Sequence, residues 1–209
     1  MLKKNNKVTV VGKISKGFTY SHQVRGEHFY MTEVIVERLS EKADRIPVLI
    51  SERLIDVRED FTGEIVEING EFRSYNKQDG ERRRLILELM VREIEFCNGD
   101  LVLPVNSIGL DGFICKPPVY RKTPLGREIA DILLAVNRPC AKSDYIPCIC
   151  WGRNARWAGS LPVGTGISIT GRIQSRNYSK DEEIRTAYEV SIWKMEVTNE
   201  NNRIEAAQC

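Results

Sequence analysis

Two histidines in 209 residues leave little imidazole for catalysis or metal binding. His22 and His28 have no Cys or carboxylate cluster at metal-ligand spacing beside them and read as surface side chains. The chain has no Gly-rich phosphate loop, zinc-binding His-Glu helix or nucleophile elbow. Gly164-Thr-Gly166 is a tight turn entering a strand, whereas a phosphate cradle opens a helix. No enzymatic activity, cofactor or metal is expected. No apolar run approaches the roughly 20 residues that cross a bilayer, and no secretory leader is expected, since no secretory h-region is seen. The expectation is a cytoplasmic protein away from membranes, with its six cysteines reduced. Cys148 and Cys150 are spaced Cys-x-Cys, without the second matched pair that a zinc site needs. On a strand they share a face and fit as small buried hydrophobes. Charge of one sign is also lacking: the net charge is +2. Residues 1–103 carry 17 Lys/Arg against 18 Asp/Glu, giving −1, and residues 104–209 carry 14 against 11, giving +3. Only the second half leans basic, and a polyanion partner would have to be recognised by clustered cations.

What the chain has instead is itself, twice. Gly12, Ile14, Lys16, Tyr20, Gly26, Val36, Arg38, Asp44, Ile46, Pro47 and Arg53 recur one hundred residues later, as Gly112 through Arg153. After a one-residue insertion, Gly63, Ile68, Gly70, Ser74, Asn76, Glu81, Arg84, Glu88 and Glu95 recur at a spacing of 101. One module is used twice, so each residue can be compared with its counterpart.

Within each module apolar residues alternate over short stretches and rarely recur at three-four spacing, which predicts strands. The first module gives Val8–Ile14, Phe29–Arg38, Arg45–Ile50, Glu64–Ser74 and Arg84–Phe96. The second gives Ser107–Cys115, Glu128–Val136, Asp144–Trp151, Gly166–Arg176 and Arg185–Val197. Five strands, with a short helix or turn at Ser51–Arg58 and Arg153–Gly159, is the pattern of an OB barrel. The predicted fold is all-β: two tandem five-stranded OB-fold barrels, each with a short connecting helix. The domains are residues 1–103 and 104–209, joined at the Asn98-Gly99-Asp100 turn and Pro104.

The chemistry concentrates in Asp144-Tyr-Ile-Pro-Cys-Ile-Cys-Trp151. Period two puts Ile146, Cys148 and Cys150 on one face, fit for a barrel interior, and Tyr145, Pro147, Ile149 and Trp151 on the other. Aromatic rings on the outside of a barrel need a reason, and stacking on unpaired bases supplies one, on the order of 1–3 kcal/mol per base. Arg153 and Arg156 follow Trp151, and Arg172, Arg176 and Tyr178 lie on the next hairpin. Arginine both grips phosphate and stacks, so this set suits a flexible single strand. Trp157 and Trp193 read as structural, one closing the barrel end and the other packing a strand edge. In the first module Arg45, Ser51 and Lys77 stand where the second has Tyr145, Trp151 and Tyr178. Its own basic patch is Arg73, Lys77 and Arg82-Arg83-Arg84, with Tyr75 beside it.

Three blocks of the second module, Ile132-Leu-Leu-Ala-Val-Asn-Arg-Pro139, Asp144–Gly152 and Val163–Tyr178, resemble in order and spacing the bacterial single-stranded DNA-binding protein family, over residues 107–197. The resemblance implies an OB barrel that binds single-stranded DNA in replication, recombination, repair or mobile-element transfer. It implies stacking by Tyr145, Trp151 and Tyr178, with Arg176 among the hairpin cations. A homodimer would give four barrels around the strand. Cys140 stands where many members carry another aromatic, and the family's acidic tip is not matched by Arg203-Ile-Glu-Ala-Ala-Gln-Cys209, which puts a genome-wide replicative role in doubt. The rival expectation is a protein-interaction module of a replication or conjugation complex, with RNA or no nucleic acid as ligand.

Overall fold

The computed structural model describes residues 5–40, 42–80, 82–97, 102–139, 141–180 and 183–198. The Asn98–Asp100 turn, Cys140 and residues 199–209 lie outside them. The first repeat consists of β1 (Asn6–Ile14), β2 (Thr19–Val24), β3 (Glu27–Glu37), β4 (Ala43–Ser51), β5 (Ile65–Asp79) and β6 (Arg82–Phe96). The second consists of β7 (Val105–Ile114), β8 (Val119–Lys122), β9 (Glu128–Asn137), β10 (Ser143–Trp151), α1 (Gly152–Ala158), β11 (Gly166–Lys180) and β12 (Glu183–Val197).

Both repeats are OB barrels of the same connectivity. Strands run β2-β3-β4-β6-β5-β1 in the first and β8-β9-β10-β12-β11-β7 in the second, closed by β1–β3 and β7–β9. In each, the third and fifth barrel strands pair in parallel: Val48 opposite Leu89, and Cys148 opposite Val190. The five predicted strands form the closed circuit. The sixth strand of each repeat, β2 or β8, hairpins onto the outside of β3 or β9 and has no part in closure. Sequence reading passes over both because they are short and have no buried residue, so no apolar alternation marks them.

Inward positions are filled mainly by branched aliphatics: Val8, Val10, Ile14, Val34, Ile46, Val48 and Ile68 with Phe72 and Leu89 in the first barrel, and Leu110, Ile114, Leu134, Val136, Ile146, Ile167 and Ile169 in the second. Two glycine positions per barrel let the strands approach. A Cβ on Gly12 would lie 2.5 Å from the Ile35 carbonyl oxygen, and one on Gly112 would lie 2.5 Å from that of Ala135. Gly70 and Gly171 press equally hard on the carbonyls of Met90 and Ser191. The turn between the second and third barrel strands is clasped identically in both copies: Arg38 Nε donates to Asp44 Oδ2 and Arg138 Nε to Asp144 Oδ2, each at 2.7 Å. The second guanidinium nitrogen of each arginine closes a fork on the other carboxylate oxygen. Both aspartates are buried, where a charge persists only if paired and hydrogen-bonded.

The expectation of a connecting helix holds for the second repeat alone. In the first, residues 52–58 form turns. Ser51 Oγ accepts the Arg53 N–H at 3.1 Å, and Asp56 Oδ1 accepts the Arg58 N–H at 3.1 Å. Such local side-chain acceptors give the backbone an alternative to helix. In the second repeat Trp151 replaces Ser51 and offers no acceptor, and α1 forms with Ala155 and Ala158 buried beneath it.

Contacts divide the described chain into two compact units. One comprises residues 7–108 and the outer part of the β11–β12 hairpin, 173–188; the other comprises 5–6, 109–172 and 189–198. Within the first unit, Asp44 Oδ1 accepts the Ser175 N–H at 3.1 Å, and Ser175 Oγ accepts the Arg45 N–H at 2.9 Å.

Gly112→Ala forces a methyl group against backbone and is expected to cost about 1–3 kcal/mol of stability, measured as a lowered urea midpoint. Gly109→Ala on the same strand, whose Cβ would find its nearest neighbour at 4.0 Å, is the control and should change stability by no more than about 0.5 kcal/mol.

Candidate nucleic-acid interface

β10 separates inside from outside as period two requires. Ile146, Cys148 and Cys150 are buried in the barrel, while Tyr145 and Trp151 stand out, 44% and 39% exposed. Pro147 lies between them, half-buried, and Ile149, on the same outward face, is covered. β10 is locked on one side by an unbroken antiparallel register with β9, from Ser143 opposite Asn137 to Trp151 opposite Ile129. The Trp151 ring is oriented by its own indole N–H, which donates to Ser191 Oγ on β12 at 3.3 Å. This bond fixes one edge of the ring and leaves it partly open to solvent.

The cations differ in what they touch. Arg153 is exposed on α1. Arg156, on the same helix, gives its Nε to Glu128 Oε2 at 2.9 Å, and Glu128 also accepts the Tyr120 hydroxyl at 2.7 Å. That hydrogen bond to Glu128 raises the Tyr120 phenol above its usual range. Arg172, half-buried on β11, belongs to the same unit as Tyr145, Trp151, Arg153 and Arg156. Arg176, exposed, and Tyr178, half-buried, belong to the other unit, as do Arg73, Tyr75 and Lys77.

In that other unit Arg73 is held inside a bridge. Its side chain is only 14% exposed and lies 2.5 Å from Glu71 Oε2, which Arg92 also reaches at 2.6 Å. These two guanidinium groups outweigh burial and hold the Glu71 carboxyl below the usual range. Arg73 already has a carboxylate partner, whereas Lys77 is exposed and stands directly across the hairpin from exposed Arg84. Like charges in opposed positions repel unless an anion joins them. Tyr75 is 45% exposed, and burial together with its hydrogen bond to Glu88 raises its phenol.

Two features escape sequence reading. Trp157 and Trp193, expected to be structural, are 38% and 55% exposed. The β2–β3 hairpin of the first repeat gathers Tyr20, His22, His28, Phe29 and Tyr30: His22 stacks on Phe29 with centroids 5.3 Å apart, and Tyr20 meets Tyr30 edge-on at 5.8 Å. The signal was the density of rings either side of Arg25-Gly26. His28 Nδ1 lies 2.9 Å from Glu52 Oε1, and the His28 backbone N–H donates to the same oxygen at 3.0 Å; this backbone bond, then the ring, lowers the Glu52 carboxyl. Among the described residues no group of three His, Cys, Asp or Glu could hold a metal ion, and no helix is long and apolar enough to cross a membrane.

Residues 105–198 match the Single-strand binding protein family. The match takes in β7 to β12 of the second repeat. Curated relatives include a single-stranded DNA-binding protein of Halalkalibacterium halodurans, 35% identical over 85 residues, and single-stranded DNA-binding protein A of Bacillus subtilis, also 35% identical over 85 residues. Each alignment takes in 37% of this chain, and 51% and 49% of the two relatives, so the chain spans about half the length of the curated relatives it matches. Among solved structures, the wild-type single-stranded DNA binding protein from Thermus aquaticus is similar with a TM-score of 0.71 at 18% identity, over 93% of both chains. A deletion variant of the same protein gives a TM-score of 0.72. At that identity the likeness concerns the fold, and it extends over both barrels. The family match, 105–198, encloses the resemblance read from residues 107–197, with Tyr145, Trp151 and Tyr178 inside it.

Burial raises the Cys148 thiol well above its ordinary value and pushes Cys150 up to about 12. Neither carries appreciable thiolate at pH 8, so iodoacetamide should leave both unmodified in the folded protein and alkylate both in urea, read by peptide mass spectrometry. Alkylation of either in the native state would mean that β10 does not face inward as described.

Proposed function

We propose that the protein binds single-stranded DNA without catalysis and with little sequence preference, chiefly through its second repeat. Bases stack on Tyr145 and Trp151 of β10 and on Tyr178 of the following hairpin. Phosphates are met by Arg153, Arg172 and Arg176, and by Arg156 when it leaves Glu128. The observation that carries this reading is the division of β10, whose interior positions are filled by Ile146, Cys148 and Cys150 while two large rings are left in water. A phenol and an indole on one strand both keep a large part of their surface open to solvent, and every base has a π face to offer them.

The first repeat, with its own barrel but none of those three rings, is the supporting domain in a division near residue 103. Lys77, Tyr75 and the exposed guanidinium groups opposite form its secondary contact with the backbone, and Arg73 contributes mainly to holding that hairpin. Two copies of the chain would surround one strand with four barrels. The cellular setting is cytoplasmic replication, recombination, repair or transfer of a mobile element.

Trp151→Ala should weaken binding of a fluorescent oligothymidylate about tenfold, roughly 1.4 kcal/mol, by anisotropy at fixed ionic strength. Unchanged affinity in a folded variant removes Trp151 from the site. The wild-type binding constant should fall linearly with salt on logarithmic axes, with a slope near −0.7 for each phosphate neutralised. A salt-independent constant would contradict phosphate contact.

A further inference from the structure

All three tryptophans of the chain belong to the second repeat, and the most exposed of them is the one farthest along the sequence, Trp193, at 55%. Its neighbour Ile192 is buried, so the ring is on the outward side of β12. β12 runs parallel beside β10 with Ile149 opposite Ser191. Two residues beyond this pair the two strands carry Trp151 and Trp193, both partly open to solvent. Ser191 also receives the Trp151 indole N–H at 3.3 Å. The β12 backbone is pinned at this point, because Asn154 on α1 donates its side-chain amide to the Trp193 carbonyl oxygen at 3.2 Å. The exposed ring therefore projects from a strand tied to the helix that follows Trp151.

The counterpart comparison gives an independent sign. At the spacing of 101, Trp193 corresponds to Arg92, which in the first repeat is bonded to Glu71 at 2.6 Å. Where the repeat that lacks the stacking rings carries a paired cation, the repeat that has them carries an open indole.

We infer that Trp193 is an additional base-stacking residue, taking an unpaired nucleotide of the same DNA strand and extending the ring track from β10 across to β12 at the α1 end. This rests on the single-strand binding proposed above. The track then runs Tyr145, Trp151, Trp193, with Arg153 exposed on the adjoining helix to meet the backbone between rings. The position of Trp193 at the margin explains why the interior does not need it: Val190, Ile192 and Met195 already fill that part of the core.

The test is the affinity of Trp193→Ala, Trp193→Leu and Trp193→Phe for a labelled oligothymidylate long enough to span the barrel, by anisotropy, with thermal unfolding as the check on folding. Alanine and leucine are expected to weaken binding about fivefold or more, while phenylalanine, which keeps a flat ring, stays within about twofold of wild type. Leucine retains apolar bulk, so it decides the matter if alanine lowers stability. Wild-type affinity in the folded leucine variant overturns the inference. Equal losses in phenylalanine and leucine also overturn it, since they would show that the indole serves the fold and not a base. If the wild-type protein itself fails to bind, the underlying reading falls first; if it binds and only the Trp193 variants are unaffected, that reading stands and this one does not.

Discussion

Each barrel closes at places where two backbones come too near for any side chain. Gly12 and Gly112 lie under the carbonyls of the second barrel strand, and Gly70 and Gly171 under those of the fifth. A sheet of five strands closes only if its first strand can bend from one neighbour to the other, and β1 does so, pairing with β5 over Val8–Lys13 and with β3 at Lys13 and Ile14. Closure removes the free edges of those strands and creates an interior that must be filled. Everything that distinguishes inside from outside on β10 follows from it, including which residues are available to a ligand.

The two repeats show how independent those two surfaces are. Inward positions stay apolar in both copies, Ile46 and Val48 answering Ile146 and Cys148, and the arginine–aspartate clasp is atom for atom the same. Outward positions have diverged: Arg45 forms an ion pair with Glu33 at 2.9 Å where Tyr145 faces solvent, and Ser51 hydrogen-bonds Glu27 where Trp151 begins a helix. Strand geometry allows this because adjacent residues point to opposite faces of the sheet. The barrel tolerates exchange of one face as long as the other keeps its volume.

Much of the fold was legible in the sequence. Period-two alternation located all ten barrel strands, because each has one face buried, and the internal repeat disclosed the tandem architecture before any element was assigned. What was missed has physical causes. β2 and β8 bury nothing and so have no hydrophobic signature. The missing helix in the first repeat depends on whether one side-chain oxygen, that of Ser51, competes for the backbone, a choice that average propensity does not register. The candidate site was legible on β10, where a continuous strand makes facing unambiguous. The exposure of Trp193 was not legible because alternation fails locally on β12, with Trp193 and Lys194 both exposed between Ile192 and Met195. Arg73 could be recognised as a cation but not as a partner of Glu71 two residues earlier on the same strand, since that pairing depends on side-chain conformation and on Arg92 meeting the same oxygen from across the hairpin.

The carboxylate of Glu128 grips both a phenol and a guanidinium at the foot of α1. A phosphate that approached Arg156 would compete with Glu128 for its positive charge, so the net gain would be smaller than that from a solitary cation. Dissolved ions loosen the old pair and the new one alike, which makes this arginine a muted contributor to the response to ionic strength. Tyr120 donates to the other oxygen of Glu128, so departure of Arg156 would leave that carboxylate still anchored to β8.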